Sequence, residues 1–287
     1  MTAAALAKKV AFQGEPGAYA NLAAREALPN ALAIPRPTFE DAAAAVRDGD
    51  TELCIIPVEN SLHGRIADIH HLLPEAGLFI VGEHFLRIQH QLLAVKGATL
   101  ESVKTVFSQA PALGQCRKII RDRKLTAQNW YDTAGSAKHV AELKDTSVAA
   151  IASSLAGEIY GLEVLQANVE DELHNMTRFL IMARAPDNAP YDGSPVVTSF
   201  IFRVRNVPAA LYKALGGFAT NGVNMTKLES YQLGGSFNAT QFYADIEGHP
   251  DDRAVALALE ELQFFTDKLS ILGVYRAHPF RKQKPAI

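Results

Sequence analysis

Short apolar runs that alternate with helical patterns fill residues 10–160, and this alternation most constrains the fold. Strand-like runs lie at 10–13, 54–58, 79–81, 91–95, 103–107 and 148–152. Helical patterns lie at 19–27, 39–48, 65–73, 111–122, 136–143 and 153–160. Alternation of this kind is typical of βαβ units, in which the strands pair in parallel. The first part of the chain is therefore predicted to be an α/β domain on parallel sheet.

The pattern changes after residues 186–195, where proline, glycine, Asp and Asn give the composition of a linker. Beyond it, strands are predicted at 198–204, 225–233, 239–247 and 269–277, with helices at 209–220 and 251–265. The order βαββαβ is that of a ferredoxin-like module. Gly234 and Gly235, between the two middle strands, indicate a hairpin.

Composition excludes several classes of protein. The 287 residues, 48% of them hydrophobic and 21% charged, are ordinary for a globular chain with two domains. A net charge of −3 offers no basic face for nucleic acid, and two cysteines make no disulfide framework. No apolar run approaches the roughly 18 residues that span a bilayer. Lys8 and Lys9 follow the apolar start, the reverse of a secretory signal, so a cytoplasmic protein is expected.

Thr177 and Arg178 lie at the start of a predicted buried strand. Ligands bind at strand ends in open α/β sheets. The Arg178 guanidinium suits a carboxylate, and the Thr177 hydroxyl is a neutral donor beside it. The pair therefore suits an acidic substrate that carries a hydroxyl group. The alternative is a polar turn with a helix cap and a surface ion pair, and so short a motif does not decide between them.

A second group of polar residues follows the apolar strand at 53–58. Glu59, Asn60 and Ser61 come directly after this strand, and Gly64 marks a turn. Helix capping by Asn60 or Ser61 is the ordinary alternative. Taken together, the two segments place polar donors at the ends of two strands.

These two segments and their order resemble the prephenate dehydratase family. The resemblance is carried by residues 57–61 with Gly64, and by Asn175 with Thr177, Arg178 and Phe179. It extends through residues 14–19, 112–116, 132–134 and 150–152. The C-terminal module is similar to an ACT regulatory domain, so the likeness covers nearly the whole chain.

The resemblance implies a domain organisation. A catalytic domain is expected over residues 1–185, a linker over 186–195 and an ACT domain over 196–287. The catalytic domain would have two lobes of the type II periplasmic-binding-protein kind, divided near residues 83 and 169, with the substrate between them. A homodimer or a dimer of dimers is expected.

The resemblance also implies a reaction, in which prephenate loses carbon dioxide and water to give phenylpyruvate for L-phenylalanine biosynthesis. Losing both groups makes the cyclohexadiene ring aromatic. The enzyme must hold two carboxylates, donate a hydrogen bond to the departing hydroxyl and exclude water. By resemblance Thr177 is this catalytic donor, and the substrate contacts are Asn60, Ser61, Asn175, Arg178, Phe179, Ser108 and Thr133.

No cofactor or metal is expected, because aromatisation drives the reaction. His70 and His71 are adjacent and so point to different sides of a helix. His84 and His90 have no carboxylate or cysteine at ligand spacing, and neither HExxH nor GxSxG occurs.

The likeness to ACT domains predicts a phenylalanine site where two such modules pair. Its expected contacts are Asn206, Pro208, Ala209, Leu211, Asn224, Glu229 and Ser230. Ala209 replaces a glycine that is usual in the family, and Tyr231 replaces an arginine. In the catalytic domain Ala18 and Ala20 replace small hydroxyl residues, and Gln109 replaces a histidine.

Two alternative functions stay open at this point. Arogenate dehydratase acts on a substrate with an amine in place of the side-chain keto group. A non-catalytic amino-acid sensor would combine a binding cleft with a regulatory module, but it has no need of a leaving-group donor such as Thr177. The expected partners are prephenate and L-phenylalanine, and neither nucleic acid nor membrane.

Overall fold

The structure is a computed structural model that describes residues 7–66, 73–232 and 239–282. The chain divides into two compact units. The first comprises Met1–Ile66 and Phe85–Phe179, and the second comprises Ala67–His84 and Leu180–Ile287. Within the described ranges, no helix is long and apolar enough to cross a lipid bilayer.

Strands and helices alternate along the first part of the chain. The strands are β1 (Lys9–Gln13), β2 (Leu32–Arg36), β3 (Leu53–Asn60), β4 (Gly64–Arg65), β5 (Phe79–Arg87), β6 (Gln91–Ala94), β7 (Thr105–Ser108), β8 (Thr126–Asn129), β9 (Val148–Ala152), β10 (Glu163–Gln166), β11 (Met176–Ala183), β12 (Val196–Val204), β13 (Met225–Gln232), β14 (Ala239–Glu247) and β15 (Thr266–Arg276). The helices are α1 (Tyr19–Ala27), α2 (Phe39–Arg47), α3 (Ala110–Gln115), α4 (Arg117–Asp122), α5 (Thr133–Leu143), α6 (Ser154–Tyr160), α7 (Ala210–Thr220) and α8 (Arg253–Phe264), with a 3-10 helix at Pro279–Lys282.

The first sheet has six strands in the order β2-β1-β3-β11-β5, with β4 paired to β3. β1 is parallel to β2 and to β3, and β4 is antiparallel to β3. β3 is buried along most of its apolar length and ends in the half-buried polar residues Glu59 and Asn60. The sheet therefore presents polar side chains where this central strand stops.

The second sheet has five strands in the order β10-β6-β9-β7-β8. β7 is parallel to β8 and β9, whereas β6 is antiparallel to β9 and β10. The sheet is therefore mixed, where the alternation predicts a parallel one. The reason is that β6 follows β5 without a helix between them, so no βα crossover sets its direction.

Polar caps fix where several helices begin. Thr38 and Asp41 form a reciprocal capping box at the start of α2. Asp132 and Ser153 cap α5 and α6, since each side chain accepts a backbone N–H of the first helical turn. These caps also set the positions of the residues that follow them, including Thr133.

The loop after β1 lies against the start of α6. A Cβ atom at Gly17 would lie 2.7 Å from Ala156 Cα, so the backbone contact requires glycine. Ser153 Oγ donates to Gly17 O at 2.6 Å, and Tyr160 Oη donates to Pro16 O at 2.9 Å. The loop that follows β1 of the first sheet is thus hydrogen bonded to α6 and its cap, which follow β9 of the second sheet.

The second unit contains a four-stranded sheet in the order β13-β14-β12-β15. β12 is antiparallel to β14 and β15, and β13 is antiparallel to β14. Phe200, Phe202, Phe218 and Leu262 are buried in its core, to which α7 and α8 both contribute. This strand order and the sequence βαββαβ are those of a ferredoxin-like fold. The predicted fold class, α/β sheets followed by a ferredoxin-like module, is confirmed.

The sequence pattern does not predict the strands β2, β8 and β10. All three lie at an edge of a sheet, and most of their residues are exposed or half-buried. β8 and β10 carry no apolar run, so the signal on which the prediction depends is absent there. β2 has a short apolar run at 32–35, but this run ends in Pro35, a residue that is unfavourable in strands.

The single helix predicted over 111–122 is wrong, because it is two helices. Cys116 leaves the helical conformation with φ −124° and ψ 33°. The Asp171 carboxylate then accepts the backbone N–H groups of Arg117 and Lys118, each at 3.0 Å, and so starts α4. The predicted helix at 65–73 and the hairpin at 234–235 fall mostly outside the described residues. The domain boundaries stay a prediction.

Candidate active site

A cavity of about 320 Å³ lies within the first unit, at the lower end of the range for small-molecule sites. Residues near both sheets line it. They are Gln13, Gly14, Ala18, Tyr19, Ala20, Phe39, Pro57, Asn60, His63, Ile66, Ile88, His90, Gln109, Pro111, Ala112, Gln115, Asp132, Thr133, Thr177 and Phe179.

The two predicted segments meet at the wall of this cavity. β3 and β11 are neighbours in the first sheet, and Ser61 N donates to Met176 O at 2.8 Å where β3 ends. The end of one strand therefore lies beside the start of the other. This places Asn60 and Thr177 together on the cavity wall, although they are far apart in the sequence.

Asn60 is held in one orientation by backbone donors. Its Oδ1 accepts the N–H groups of Leu62 at 3.0 Å and His63 at 3.1 Å. Its Nδ2 must therefore be the donor, and its two protons serve three acceptors: Asn175 Oδ1 at 2.7 Å, Thr177 Oγ1 at 3.0 Å and Met176 O at 3.1 Å. The amide orientation of Asn60 thus follows from its backbone partners.

The direction of the next hydrogen bonds follows from that of Asn60. Because Asn175 Oδ1 accepts, Asn175 Nδ2 donates, and its acceptor is Gln115 Oε1 at 3.0 Å. Gln115 Oε1 also lies 2.7 Å from His90 Nε2. An amide oxygen has no proton to donate, so His90 Nε2 carries one.

The far end of this chain is the pair of His90 and Tyr19. Burial lowers the pKa of His90, against the raising effects of the Gln115 hydrogen bond and of Glu170. A neutral imidazole with a proton on Nε2 has a lone pair on Nδ1, which lies 2.7 Å from Tyr19 Oη. The Tyr19 hydroxyl has one proton for two neighbouring acceptors, His90 Nδ1 and Gln89 O, the latter at 3.0 Å. Burial also raises the pKa of Tyr19, so this hydroxyl keeps its proton.

Thr177 is left with a proton to donate. Its oxygen accepts from Asn60, and within residues 7–66, 73–232 and 239–282 its hydroxyl makes no hydrogen bond as a donor. The side chain is 7% exposed and lines the cavity. A hydroxyl with its acceptor site filled and its proton unused is suited to a ligand oxygen that gains negative charge.

Arg178 does not line the cavity, although Thr177 and Phe179 on either side of it do. Successive side chains of a strand point to opposite faces, so the guanidinium lies on the other face of β11. There Arg178 Nη1 pairs with Glu59 Oε1 at 2.9 Å, and the arginine side chain is 3% exposed. The predicted contact of Arg178 with a substrate carboxylate stays a prediction.

The other predicted substrate contacts separate into two groups. Thr133 and Phe179 line the cavity. Ser108 is buried and donates to Ile151 O at 2.6 Å, and Ser61 is exposed and donates to His174 O at 2.8 Å. The hydroxyls of Ser108 and Ser61 are therefore hydrogen bonded to backbone carbonyl groups, and neither residue lines the cavity.

Much of the cavity wall is apolar. Ala18 and Ala20, the two positions where hydroxyl residues are expected, lie on it together with Phe39, Ile66, Ile88, Pro111 and Ala112. Gln109, at the position where histidine is expected, also lines the cavity. This wall offers space to a ring or another apolar group.

The residues predicted to contact phenylalanine lie on β13, an edge strand, and around the start of α7. Ala209 immediately precedes α7 with φ 61°, a left-handed conformation that glycine adopts more readily. Glu229 is half-buried and pairs with Lys227 Nζ at 3.2 Å, and Asn224 donates to Glu247 at 2.9 Å. Leu211 is half-buried, and Asn206, Pro208, Ala209 and Ser230 are exposed.

Within the part of the chain that the structure describes, no group of three or more His, Cys, Asp or Glu side chains is arranged to hold a metal ion. His90, whose spacing gives no metal motif, is bonded to Gln115 and Tyr19 instead.

Four residues that line the cavity are not predicted from the sequence: Tyr19, His90, Gln115 and Asp132. Tyr19, Gln115 and Asp132 lie within the segments that carry the family resemblance. That resemblance is the signal that could have found them, because their spacing in the sequence shows no pattern.

Comparison with known proteins decides the family. A family model described as prephenate dehydratase matches residues 10–187. The chain belongs to the prephenate dehydratase family. Members of this family are lyases, so the chain is an enzyme and the sensor alternative is not supported.

Relatives resemble the chain over most of its length. The bifunctional N-acyl-homoserine lactone acylase/prephenate dehydratase of Komagataeibacter europaeus is 53% identical over 274 residues, which are 96% of this chain and 98% of that protein. Arogenate dehydratase/prephenate dehydratase 2, chloroplastic, of Arabidopsis thaliana is 37% identical over 276 residues, which are 93% of this chain and 72% of that protein. The crystal structure of prephenate dehydratase in complex with L-Phe from Arthrobacter aurescens is 27% identical with a TM-score of 0.86, and the match covers 97% of this chain and 92% of that one.

Proposed function

We propose that the chain catalyses the decarboxylating dehydration of prephenate to phenylpyruvate, water and carbon dioxide, within L-phenylalanine biosynthesis. Membership of the prephenate dehydratase family supports this proposal. The observation that carries it is the 3.0 Å hydrogen bond from Asn60 to Thr177, which leaves the threonine proton directed at a ligand. Arogenate, with an amine in place of the keto group, is the alternative substrate.

The reaction breaks two bonds of the ring, and electrons move from the first bond through the ring to the second. The bond from the ring to its carboxylate breaks and carbon dioxide leaves. The electron pair of that bond moves into the ring, and the bond from the ring to the hydroxyl oxygen breaks at the opposite end. The hydroxyl leaves with the bonding pair and becomes water when it receives a proton. No external oxidant or reductant is needed, because the ring becomes aromatic.

Thr177 stabilises the oxygen that leaves. A threonine hydroxyl is too weak an acid to lose its proton permanently, so it acts as a hydrogen-bond donor to developing negative charge. Asn60 keeps the threonine oxygen occupied and the proton free for this role. The proton that converts the departing hydroxide to water comes from solvent. A donor positioned in this way contributes about 10²- to 10³-fold to kcat.

The rest of the cavity suits a flat ring with polar ends. Phe179 and the apolar wall pack against the ring and exclude water, which strengthens the hydrogen bond from Thr177. Gln13, Gln109 and Thr133 line the same cavity and provide neutral donors for carboxylate oxygens.

The test is incubation of the purified protein with prephenate while phenylpyruvate and carbon dioxide are measured. Equal amounts of the two products, in the absence of added metal or nucleotide, are expected. Prephenate that decays no faster than in buffer, under conditions in which the protein is folded, would refute the proposal.

We also propose that L-phenylalanine inhibits the enzyme by binding to its C-terminal ferredoxin-like module. The relative from Arthrobacter aurescens was crystallised in complex with L-Phe. The predicted contacts lie on one edge strand and at one helix start, where a second copy of the module can approach. A homodimer, or a dimer of dimers, would hold two such sites at each paired interface.

Hydrolysis of N-acyl-homoserine lactones is a second candidate activity. The bifunctional relative supports it, and the observation that favours it is the apolar wall, which would accommodate an acyl chain. Incubation with an N-acyl-homoserine lactone should release free homoserine lactone, detected through its primary amine. Release no faster than in a control without protein would exclude this second activity and leave the first unaffected.

A further inference from the structure

The charges of the cavity are unusual for a site that takes a dicarboxylate. Asp132 is the one carboxylate among the lining residues of the described chain, and none of them is Lys or Arg. His90 is held neutral by its lowered pKa. A ligand in this cavity therefore meets a fixed negative charge and no fixed positive one.

The nearby positive charges are already paired with carboxylates. Lys138 Nζ lies 3.4 Å from Glu15 Oε2, and Arg178 Nη1 lies 2.9 Å from Glu59 Oε1. Asp132 makes no ion pair within the described ranges. Its negative charge is therefore balanced by backbone groups alone.

The two carboxylate oxygens of Asp132 have different surroundings. Oδ1 accepts the backbone N–H of Gly135 and so caps α5. Oδ2 lies on the side of Gly14, where a Cβ atom would be 4.0 Å from it. Gly14 has φ 111° and lines the cavity, so Oδ2 lies beside a cavity-lining residue that has no side chain.

The surroundings of Asp132 favour a cationic partner. Burial, the largest cause, raises its pKa, and the charge of Glu15 adds to this, while backbone hydrogen bonds from Gly135, Glu15 and Ala134 lower it. A half-buried carboxylate beside another negative charge gains most from an ammonium group that reaches it.

We propose that Asp132 is the residue that selects between the two substrates of this family, by binding the ammonium group of the amino-acid form. This inference rests on the proposed function. The keto form carries two negative charges and meets repulsion from Asp132. The amino form carries the same carboxylates with an ammonium in place of the keto oxygen, so it enters with a lower net negative charge and a partner for Oδ2. The Asp132 carboxylate therefore raises kcat/KM for arogenate relative to kcat/KM for prephenate.

The experiment measures kcat/KM for arogenate and for prephenate with the full-length protein and with Asp132→Asn. Asparagine keeps the oxygen that caps α5 and removes the charge. The ratio of the two kcat/KM values in the wild-type protein is the reference for the variants. Asp132→Asn should lower the ratio of the two kcat/KM values by about 10- to 100-fold, through a loss for arogenate and a severalfold gain for prephenate.

A matched control separates charge from helix capping. Asp252 caps α8 with its side chain and does not line the cavity, so Asp252→Asn should leave the ratio unchanged. Asp132→Ser provides a second uncharged cap if Asp132→Asn is unstable, and it should shift the ratio in the same direction.

The outcomes are distinguishable. Turnover of prephenate with the same ratio in wild type, Asp132→Asn and Asp132→Ser would overturn this inference while the proposed function stands. Turnover of neither substrate by the folded wild-type protein would overturn both.

Discussion

At the scale of single residues, the orientation of the Asn60 amide determines the direction of the hydrogen bonds around it. Two backbone N–H groups fix Asn60, and the direction of the hydrogen bonds then runs through Asn175 and Gln115 to a proton on His90 Nε2. Thr177 receives a hydrogen bond from the same amide. The donor and acceptor roles in this network, which includes the proposed catalytic hydroxyl of Thr177, therefore follow from the backbone groups that fix Asn60.

Removing Asn60 should act through Thr177. Asn60→Ala is expected to lower kcat for prephenate about 10²-fold, because the threonine hydroxyl loses its orientation. In the double variant with Thr177→Ala, the loss should be no larger than in Thr177→Ala alone. Steady-state kinetics of the four proteins form the cycle, with Asn129→Ala at an exposed strand end as the matched control. Losses that multiply would show that the two residues act independently.

His90 should make the protein sensitive to acid. Its folded-state pKa lies below the ordinary value of 6.5, so the unfolded chain takes up a proton first as the pH falls. Above pH 6.5 both states are neutral and the free energy of unfolding is unaffected. Between 6.5 and the lowered pKa, stability should fall by up to about 1.4 kcal/mol for each pH unit.

Urea denaturation at about pH 7.5 and about pH 5.5 measures this effect. His90→Gln should lose less stability between the two pH values than the wild type does, and the exposed control His63→Gln should behave as wild type. An equal acid sensitivity of wild type and His90→Gln would assign the effect to other groups.

At the scale of elements, strand ends form the candidate active site, and the start of a helix lies at the proposed effector site. β3 and β11 place Asn60 and Thr177 together because they are neighbours in one sheet. Ala209, immediately before α7, takes a conformation with φ 61° that places its methyl group under strain. The departure from glycine at this position therefore has a physical cost that can be measured.

Ala209→Gly should stabilise the protein by about 0.5–1 kcal/mol, because glycine adopts a positive φ without strain. The control is Ala219→Gly within the regular part of α7, which should destabilise by about 1 kcal/mol. Thermal unfolding of the two variants and of the wild type measures the expected gain and the expected loss of stability. A destabilised Ala209→Gly protein would contradict the strain at this position.

The sequence predicts buried elements and misses exposed ones. The core strands β1, β3, β7 and β9 carry apolar runs, and their positions agree with the pattern. β8 and β10 lie at sheet edges with exposed side chains, so no period of apolar residues marks them, and the short apolar run of β2 ends in Pro35. The sequence also does not predict that β6 is antiparallel to β9, since the sequence of a strand does not encode the direction of its neighbour.

For the site, the sequence indicates which segments carry donors, but not which face of a strand each donor occupies. Thr177 and Arg178 are adjacent, yet one lines the cavity and the other pairs with Glu59. Ser61 and Ser108 similarly have hydroxyls that hold backbone. The partner of each donor depends on packing between segments distant in the sequence, which a local pattern cannot show.

At the scale of the whole molecule, the proposed regulation couples two sites. L-phenylalanine bound between paired modules would favour one arrangement of the dimer, and that arrangement would favour one state of the catalytic cavity. Because a two-fold interface repeats each contact, binding should involve two sites for each dimer and be cooperative.

Calorimetry with the intact protein tests this coupling. Glu229→Ala should weaken phenylalanine binding about tenfold or more, since a half-buried carboxylate at the predicted site is lost. Glu260→Ala, at an exposed position of α8, is the control and should bind as wild type. Absence of heat from phenylalanine at millimolar concentration would mean that Ala209 and Tyr231 mark a site that no longer takes this effector.

The steady-state kinetics of Thr177→Ala test the central claim, that its hydroxyl stabilises the leaving oxygen, most directly. With prephenate as substrate, kcat should fall about 10²- to 10³-fold while KM changes by less than about threefold, because the interaction strengthens in the transition state. Thr177→Ser should retain more activity, since it keeps the donor. A folded Thr177→Ala protein with wild-type kcat, or with a raised KM alone, would contradict the account.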